Sequence, residues 1–150
     1  MLPPFESSGR LPPGIHVSTW ALFRERFGTS VQRRDQLEKL KVALRLLRAG
    51  GCARVFVGGS FVTAKHDPAD VDVAWDMTGV DAERVDAIFF DFADERAAQK
   101  NRFRAEFFPA QLAEGTTGRS FLRFFQFTRD DEPVGIVELD LETLPQGETP

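Results

Sequence analysis

Val55-Phe56-Val57-Gly58-Gly59-Ser60 and, after nine intervening residues, Asp70-Val71-Asp72-Val73 decide how this chain folds. The first segment is apolar, β-branched and aromatic and ends in glycine, the pattern of a short buried strand. Two glycines and a serine then make a tight turn whose backbone amides are free to face an anion. The intervening residues allow a short helical piece from Phe61 to Lys65 and a return into a second strand, Val71 to Trp75. Alternate residues of a strand share a face, so Asp70 and Asp72 point the same way while Val71 and Val73 point into the core. Two carboxylates side by side repel each other, and a divalent cation relieves that repulsion. Mg²⁺ takes oxygen ligands, keeps several waters, and is commonly held by one or two carboxylates plus substrate phosphates. The two segments together read as a phosphate cradle beside a metal-binding carboxylate pair.

The 150 residues fit one domain, 1–150, with a sizeable core. With 42% hydrophobic and 28% charged residues the composition is that of a soluble globular protein, and the net charge of −4 argues against a nucleic-acid coat protein without excluding a local basic patch. A single cysteine, Cys52, excludes an internal disulfide and a cysteine-based zinc site. The opening Met1-Leu2-Pro3-Pro4 leads into no apolar run and no stretch is long enough to span a bilayer, so the expected location is cytoplasmic. Fifteen phenylalanines and no tyrosine point to a core filled by Phe.

Prolines at 3, 4, 12 and 13 make residues 1–14 an extended leader across the surface. Ser18 or Thr19 caps a helix that Gly28 closes, with Trp20, Phe23 and Phe27 as its buried stripe. A longer helix runs from about Val31 to Ala49, with Leu37, Leu40, Leu44 and Leu47 as its core face. Arg33, Arg34, Lys39, Lys41, Arg45 and Arg48 outnumber its acids, which makes it either a solvated face or a surface for a polyanion or acidic partner. Further expectations are helices over 81–90, 93–101 and 119–127, a strand over 103–109, an alternating strand over 135–141, and a disordered tail over 144–150. Lys65 is either a solvated loop lysine or a triphosphate contact, and His66 reads as a surface residue. Arg96 and Lys100 share a helix face and could reach substrate phosphates. Glu106 stands between apolar neighbours, while Glu138 and Asp140 form a rival carboxylate pair whose simplest reading is the wet face of an edge strand.

Gly-Ser, about ten residues, then Asp-x-Asp resembles the signature of the nucleotidyltransferase superfamily that includes DNA polymerase β, and looks closest to its minimal bacterial members. Leu11-Pro12-Pro13-Gly14-Ile15-His16, Gly59-Ser60-Phe61-Val62-Thr63, Arg96-Ala97-Ala98-Gln99-Lys100, Glu106 with Phe108-Pro109, Phe124-Phe125-Gln126 and Gly135-Ile136-Val137 look like the hallmarks of a family of small bacterial proteins regarded as nucleotidyltransferase-like. The resemblance implies an α/β (α+β) fold, a small mixed sheet flanked by helices with two N-terminal helices. It implies that Gly59 and Ser60 grip phosphate and that Asp70 and Asp72 hold Mg²⁺ or Mn²⁺. A third carboxylate completes the site; Glu106 takes that place, as metal ligand or base, where the superfamily usually has Asp, and Asp140 is the runner-up. Lys65, Lys100 and Arg102 are further candidates for phosphate contacts. The implied activity is transfer of a nucleoside monophosphate from a nucleoside triphosphate to an RNA (tRNA) or protein acceptor, with a cognate partner protein in a toxin–antitoxin or phage-defence system by fold-level analogy. The alternatives are a catalytically inactive binding module, such as an antitoxin or nucleotide sensor, and a metal-dependent phosphodiesterase.

Overall fold

A computed structural model describes residues 2–146. It is a mixed α+β fold: five strands, β1 (Gly14–Ser18), β2 (Arg54–Gly58), β3 (Val71–Trp75), β4 (Ala105–Pro109) and β5 (Gly135–Asp140), with helices α1 (Trp20–Phe27), α2 (Val31–Ala49), α3 (Ala93–Phe103) and the single turn α4 (Phe121–Phe124). The strands lie in the order β1-β5-β2-β3-β4. β5–β2 and β2–β3 are antiparallel, whereas both outer pairs, β1–β5 and β3–β4, are parallel.

The strand periodicity sorts side chains between two cores. Val55, Val57, Val71, Val73, Phe107 and Val137 point to one face and join Phe23, Phe27, Leu37, Leu40, Leu44 and Leu47 of α1 and α2. Burial of each large side chain there contributes about 1.5–3 kcal/mol. The opposite face carries Phe56, Ala74, Phe108 and Ile136, covered by Phe121, Leu122, Phe124 and Phe125 from the segment after β4. Thr19 caps α1 through Leu22 N and Ser30 caps α2 through Arg33 N, as their side-chain oxygens satisfy amides the helices leave open.

Several elements depart from the sequence expectation. The leader ends in β1, an edge strand, and Leu11 is fully buried while Arg26 donates to the carbonyls of Leu2 and Pro3. Residues 81–90 form no α-helix: the Asp81 and Asp86 carboxylates accept from Glu83 N and Ile88 N, and this local pairing leaves only a 3₁₀ turn over Ala87–Phe90. The expected helix over 119–127 shrinks to α4, because Gln126 accepts from Val134 N and Phe127 bridges to Pro133. The helical piece after the glycines is a 3₁₀ turn, Gly59–Val62. Of the tail, Leu144 is buried and Arg45 donates to the carbonyls of Pro145 and Gln146, whereas residues 147–150 lie outside the described ones.

The basic face of α2 is largely occupied from within. Lys39 pairs with Asp35 at 3.1 Å and Lys41 with Glu38 at 3.0 Å, and Arg48 donates to Leu141 O. Arg33 is not on the surface at all, being only 2% exposed. Its guanidinium donates to Phe27 O, Phe61 O, Thr63 O and Lys65 O at 2.6–3.2 Å and lies over the Phe61 ring. Desolvation lowers its pKa, against the opposing field of Asp67.

The far end of β3 is closed by Asp76, which accepts from Arg54 Nε at 2.8 Å, from Thr78 N at 2.9 Å and from the Gln111 amide. Burial pushes this carboxyl up, but the hydrogen bonds outweigh it and bring the pKa down to about 2. The folded state therefore binds fewer protons than the unfolded chain between pH 2 and the ordinary Asp value of about 4. The stabilisation is present above that value and is lost as pH falls towards 2. Asp76→Asn should cost on the order of 1–2 kcal/mol at pH 7, discounted because Arg54 is half exposed, and the cost should vanish near pH 2. Urea unfolding across this range measures it; a gap independent of pH would refute the assignment.

Candidate functional site

The site grows from one cross-strand row. Gly58 on β2 stands opposite Asp72 on β3, and Asp72 opposite Glu106 on β4, so all three share a face. Each glycine of the turn has a separate reason. A Cβ on Gly58 would lie 3.1 Å from the Phe125 ring, and one on Gly59, whose φ is +70°, would lie 2.4 Å from Asp72 Oδ2. Only glycine allows both the left-handed turn and the close approach to the carboxylate.

The loop from Ser60 to Asp70 is fixed from behind by α2. Besides the Arg33 bonds, Gln32 Nε2 and Gln36 Nε2 each donate to Pro68 O at 2.8 Å, and Gln36 also reaches Ala69 O. Across the sheet, buried Gln99 of α3 donates to Ile88 O at 3.0 Å and accepts from Phe107 N at 2.8 Å. That pair ties α3 to the outer edge of β4 next to Glu106.

Asp72 and Glu106 stand side by side on neighbouring strands. Asp72 is pushed well above the ordinary carboxylate range, by burial first, then by the charge and hydrogen bonding of Glu106 and the charge of Asp70, with Arg96 opposing. Glu106, 16% exposed, accepts from Arg96 Nε at 2.7 Å, and Lys100 Nζ is 3.7 Å away. Arg96 is delivered by an unusual piece of backbone. Asp94, Glu95 and Arg96 all have left-handed torsions, φ 51°, 56° and 64°, at the start of α3. For L-residues this costs about 1–2 kcal/mol each.

A cavity of about 690 Å³ opens onto this row. Gly59, Asp72, Arg96 and Glu106 form its floor. Phe108, Phe121, Phe124, Phe125 and Phe127 make an aromatic wall, and Arg119, Arg129, Thr116 and Thr117 its polar rim. Arg119 pairs with Asp131 at 3.0 Å and lies over the Phe127 ring at 4.1 Å.

The structure brings Gly59, Asp72 and Glu106 to the cavity and sets Lys100 beside Glu106, whereas Lys100, Asp70 and Ser60, the last two half-buried, do not themselves line it. Lys65 is exposed and does not line the cavity; its carbonyl accepts from Arg33 and its amide donates to Thr63 Oγ1. Arg102 is turned away to Asp86, at 3.4 Å. Asp140 lies opposite Arg54 at the other end of β2, where its carboxylate caps Glu142 N, so the antiparallel register separates it from the Gly58–Asp72–Glu106 row. The sequence reading missed Arg119, Arg129 and the aromatic wall. Their signal was present in residues 119–129, which hold four phenylalanines and three arginines, an interleaving of aromatic and basic residues that a core helix does not need.

Oxygen donors are the right chemistry for a hard divalent cation, and two carboxylates confined together are stabilised by one. Among the described residues no group of three or more His, Cys, Asp or Glu is placed to hold a metal ion. The three-carboxylate set of Asp70, Asp72 and Glu106 that the resemblance implies is thus not assembled; Asp72 and Glu106 alone stand together as oxygen donors for a cation, whose other ligands would be water and a bound phosphate.

The family of unknown function DUF6932 matches residues 3–140. The chain belongs to that family. No curated protein and no solved structure matches it. In this member of DUF6932 the matched region spans every strand and helix of the fold and the whole cavity. No helix among the described residues is long and apolar enough to cross a membrane.

Two changes test how the site is held. Arg33→Met strips four carbonyls of their donor, and should lower stability by on the order of 3 kcal/mol and speed hydrogen exchange and proteolysis in residues 63–69. Unchanged protection of that loop would show that Arg33 does not organise it. Glu95→Gly places glycine at an exposed left-handed position, and should raise stability by about 1 kcal/mol in thermal unfolding; a loss would mean that Glu95 makes compensating contacts.

Proposed function

We propose that the chain is a metal-dependent nucleotidyltransferase acting on a nucleoside triphosphate. The observation that carries this reading is the Gly58–Asp72–Glu106 row opening onto a cavity that pairs an aromatic wall with arginines. Phenylalanines offer flat faces to a nucleobase, with stacking worth about 1–3 kcal/mol per base. Arg96, Arg119 and Arg129 face the polyphosphate, and Gly59 lets the backbone approach it closely.

In the reaction an acceptor hydroxyl oxygen bonds to the α-phosphorus, the bond to the bridging oxygen breaks, and pyrophosphate leaves. A divalent cation, Mg²⁺ or Mn²⁺, held by Asp72 and Glu106 supplies neutralisation of phosphate charge. Asp70, half-exposed and two residues before Asp72 in the chain, is the carboxylate we assign to take the acceptor hydroxyl's proton. The arginines of the cavity hold the phosphates in line and stabilise the departing pyrophosphate. The acceptor we infer is an RNA, such as tRNA, or a protein of the cytoplasm, with a cognate partner in a toxin–antitoxin or phage-defence setting by fold-level analogy.

The second reading is a nucleotide-binding module without catalysis. Arg96, 2.7 Å from Glu106, favours it, because the guanidinium already neutralises that carboxylate.

Incubation with each α-labelled nucleoside triphosphate, Mg²⁺ or Mn²⁺ and cell extract should label an RNA or a protein, and Asp72→Asn should reduce labelling by about 10²-fold or more. No label, with nucleotide binding that Asp72→Asn abolishes in calorimetry, would establish the binding module instead. Neither label nor binding would overturn both.

A further inference from the structure

Arg96 does more than line the cavity. Its Nε bonds Glu106 Oε1 at 2.7 Å, its charge also acts on Asp72, and its Cζ lies 5.0 Å from the centre of the Phe108 ring. The guanidinium thus supplies the positive charge that the Asp72–Glu106 pair would otherwise draw from a bound cation. The backbone that presents it is left-handed for three consecutive residues, none of them glycine. Directly after Arg96 the helix turns right-handed and is anchored through Gln99 to Ile88 O and Phe107 N. Before it, Ala93, Asp94 and Glu95 are exposed, so no packing is lost if this turn rearranges. Three consecutive left-handed residues thus aim Arg96 at Glu106, in a turn that Arg96 N on Phe92 O and Ala93 N on Asp91 Oδ1 also hold.

We propose that Arg96 is a built-in counter-ion of the Asp72–Glu106 pair, which keeps a divalent cation out of the empty cavity and passes to the polyphosphate when a nucleotide brings the cation in. The proposal rests on the cation-site reading of that pair. It makes nucleotide and cation bind together: the cation alone must displace a guanidinium that has nowhere better to go, whereas a polyphosphate offers Arg96 new oxygen partners in the same cavity. The aromatic wall favours the handover, because a guanidinium slides along a ring face while keeping its cation–π contact. Lys100, at 3.7 Å from Glu106, remains on the right-handed part of α3 and does not move with the turn.

The test is Mn²⁺ binding followed by electron paramagnetic resonance of the free ion, for the wild-type chain, Arg96→Met, Arg96→Lys and Asp72→Asn, with and without the non-hydrolysable α,β-imido analogues of ATP and GTP. Circular dichroism checks that each variant is folded. Without nucleotide, Arg96→Met should bind Mn²⁺ about tenfold more tightly than the wild type, and Arg96→Lys should stay close to it. With an analogue present the order should reverse, with Arg96→Met binding the analogue several-fold more weakly. Equal Mn²⁺ affinity for Arg96→Met and the wild type, with Asp72→Asn much weaker, would refute the counter-ion and leave the cation site standing. Mn²⁺ binding that Asp72→Asn does not weaken would refute the cation site and the counter-ion with it.

Discussion

A buried guanidinium without a buried carboxylate is the constraint on which this structure depends. Arg33 is withdrawn from water on the inner side of α2, and its hydrogen bonds go to the backbone carbonyls of residues 27, 61, 63 and 65, with the Phe61 ring beneath it and the field of Asp67 beside it. Burying a charge is costly unless every donor is used, and here each guanidinium nitrogen is bonded. Lysine could not replace it, since one ammonium cannot span carbonyls set so far along a loop. What the arrangement secures is the path from the glycine turn to the aspartates. Gln32 and Gln36 finish the task at Pro68 and Ala69, immediately before Asp70. A helix that reads as amphipathic is thus a polar clamp along one turn of its inner face.

That clamp explains how two like-charged side chains can be held in contact. Asp72 is flanked by the Gly59 backbone and by Glu106 on the neighbouring strand, and neither can recede. Gly59 is fixed by the loop that Arg33 holds, and Glu106 by the Gln99 bond to the next amide. The pair relaxes chemically rather than mechanically: the Asp72 pKa rises, and Arg96 bonds Glu106. The rigidity of the sheet row is converted into affinity for positive charge.

How much of this was legible in the chain varies with how local the cause is. α1 and α2 follow from their caps and leucine or aromatic spacing, β2 from its apolar run ending in glycine, and β3 and β5 from alternation, because these signals lie within each segment. β1 was hidden because its neighbour is β5, more than a hundred residues away, and the prolines before it suggested plain coil. The run from Asp81 to Phe90 carried helical spacing, but two aspartates satisfy local amides first. Glu106 could be picked out as a lone carboxylate in an apolar strand, whereas Asp140 could be set aside only once the register placed it beside Arg54. Arg33 was misread because charge on a helix usually means solvent, and nothing in the local sequence reports the five carbonyl bonds it makes.

The distribution of positive charge bears on what the cavity can recognise. The chain is acidic overall, at −4, so long-range attraction cannot draw a polyanion to it. On α2, Lys39 and Lys41 are spent on Asp35 and Glu38, and Arg33, Arg45 and Arg48 on carbonyls. At the cavity, Arg119 stacks on Phe127 and pairs with Asp131, while Arg129 is exposed on the rim. Cations placed beside aromatic faces and inside a concave wall act over short distances, where the low dielectric of the phenylalanines strengthens them. For the polyphosphate ligand proposed above, selectivity would therefore come from entry into the cavity rather than from capture at the surface. A compact polyphosphate with a flat ring satisfies that condition, and an RNA would have to satisfy it with its terminal nucleotide rather than with a length of its backbone.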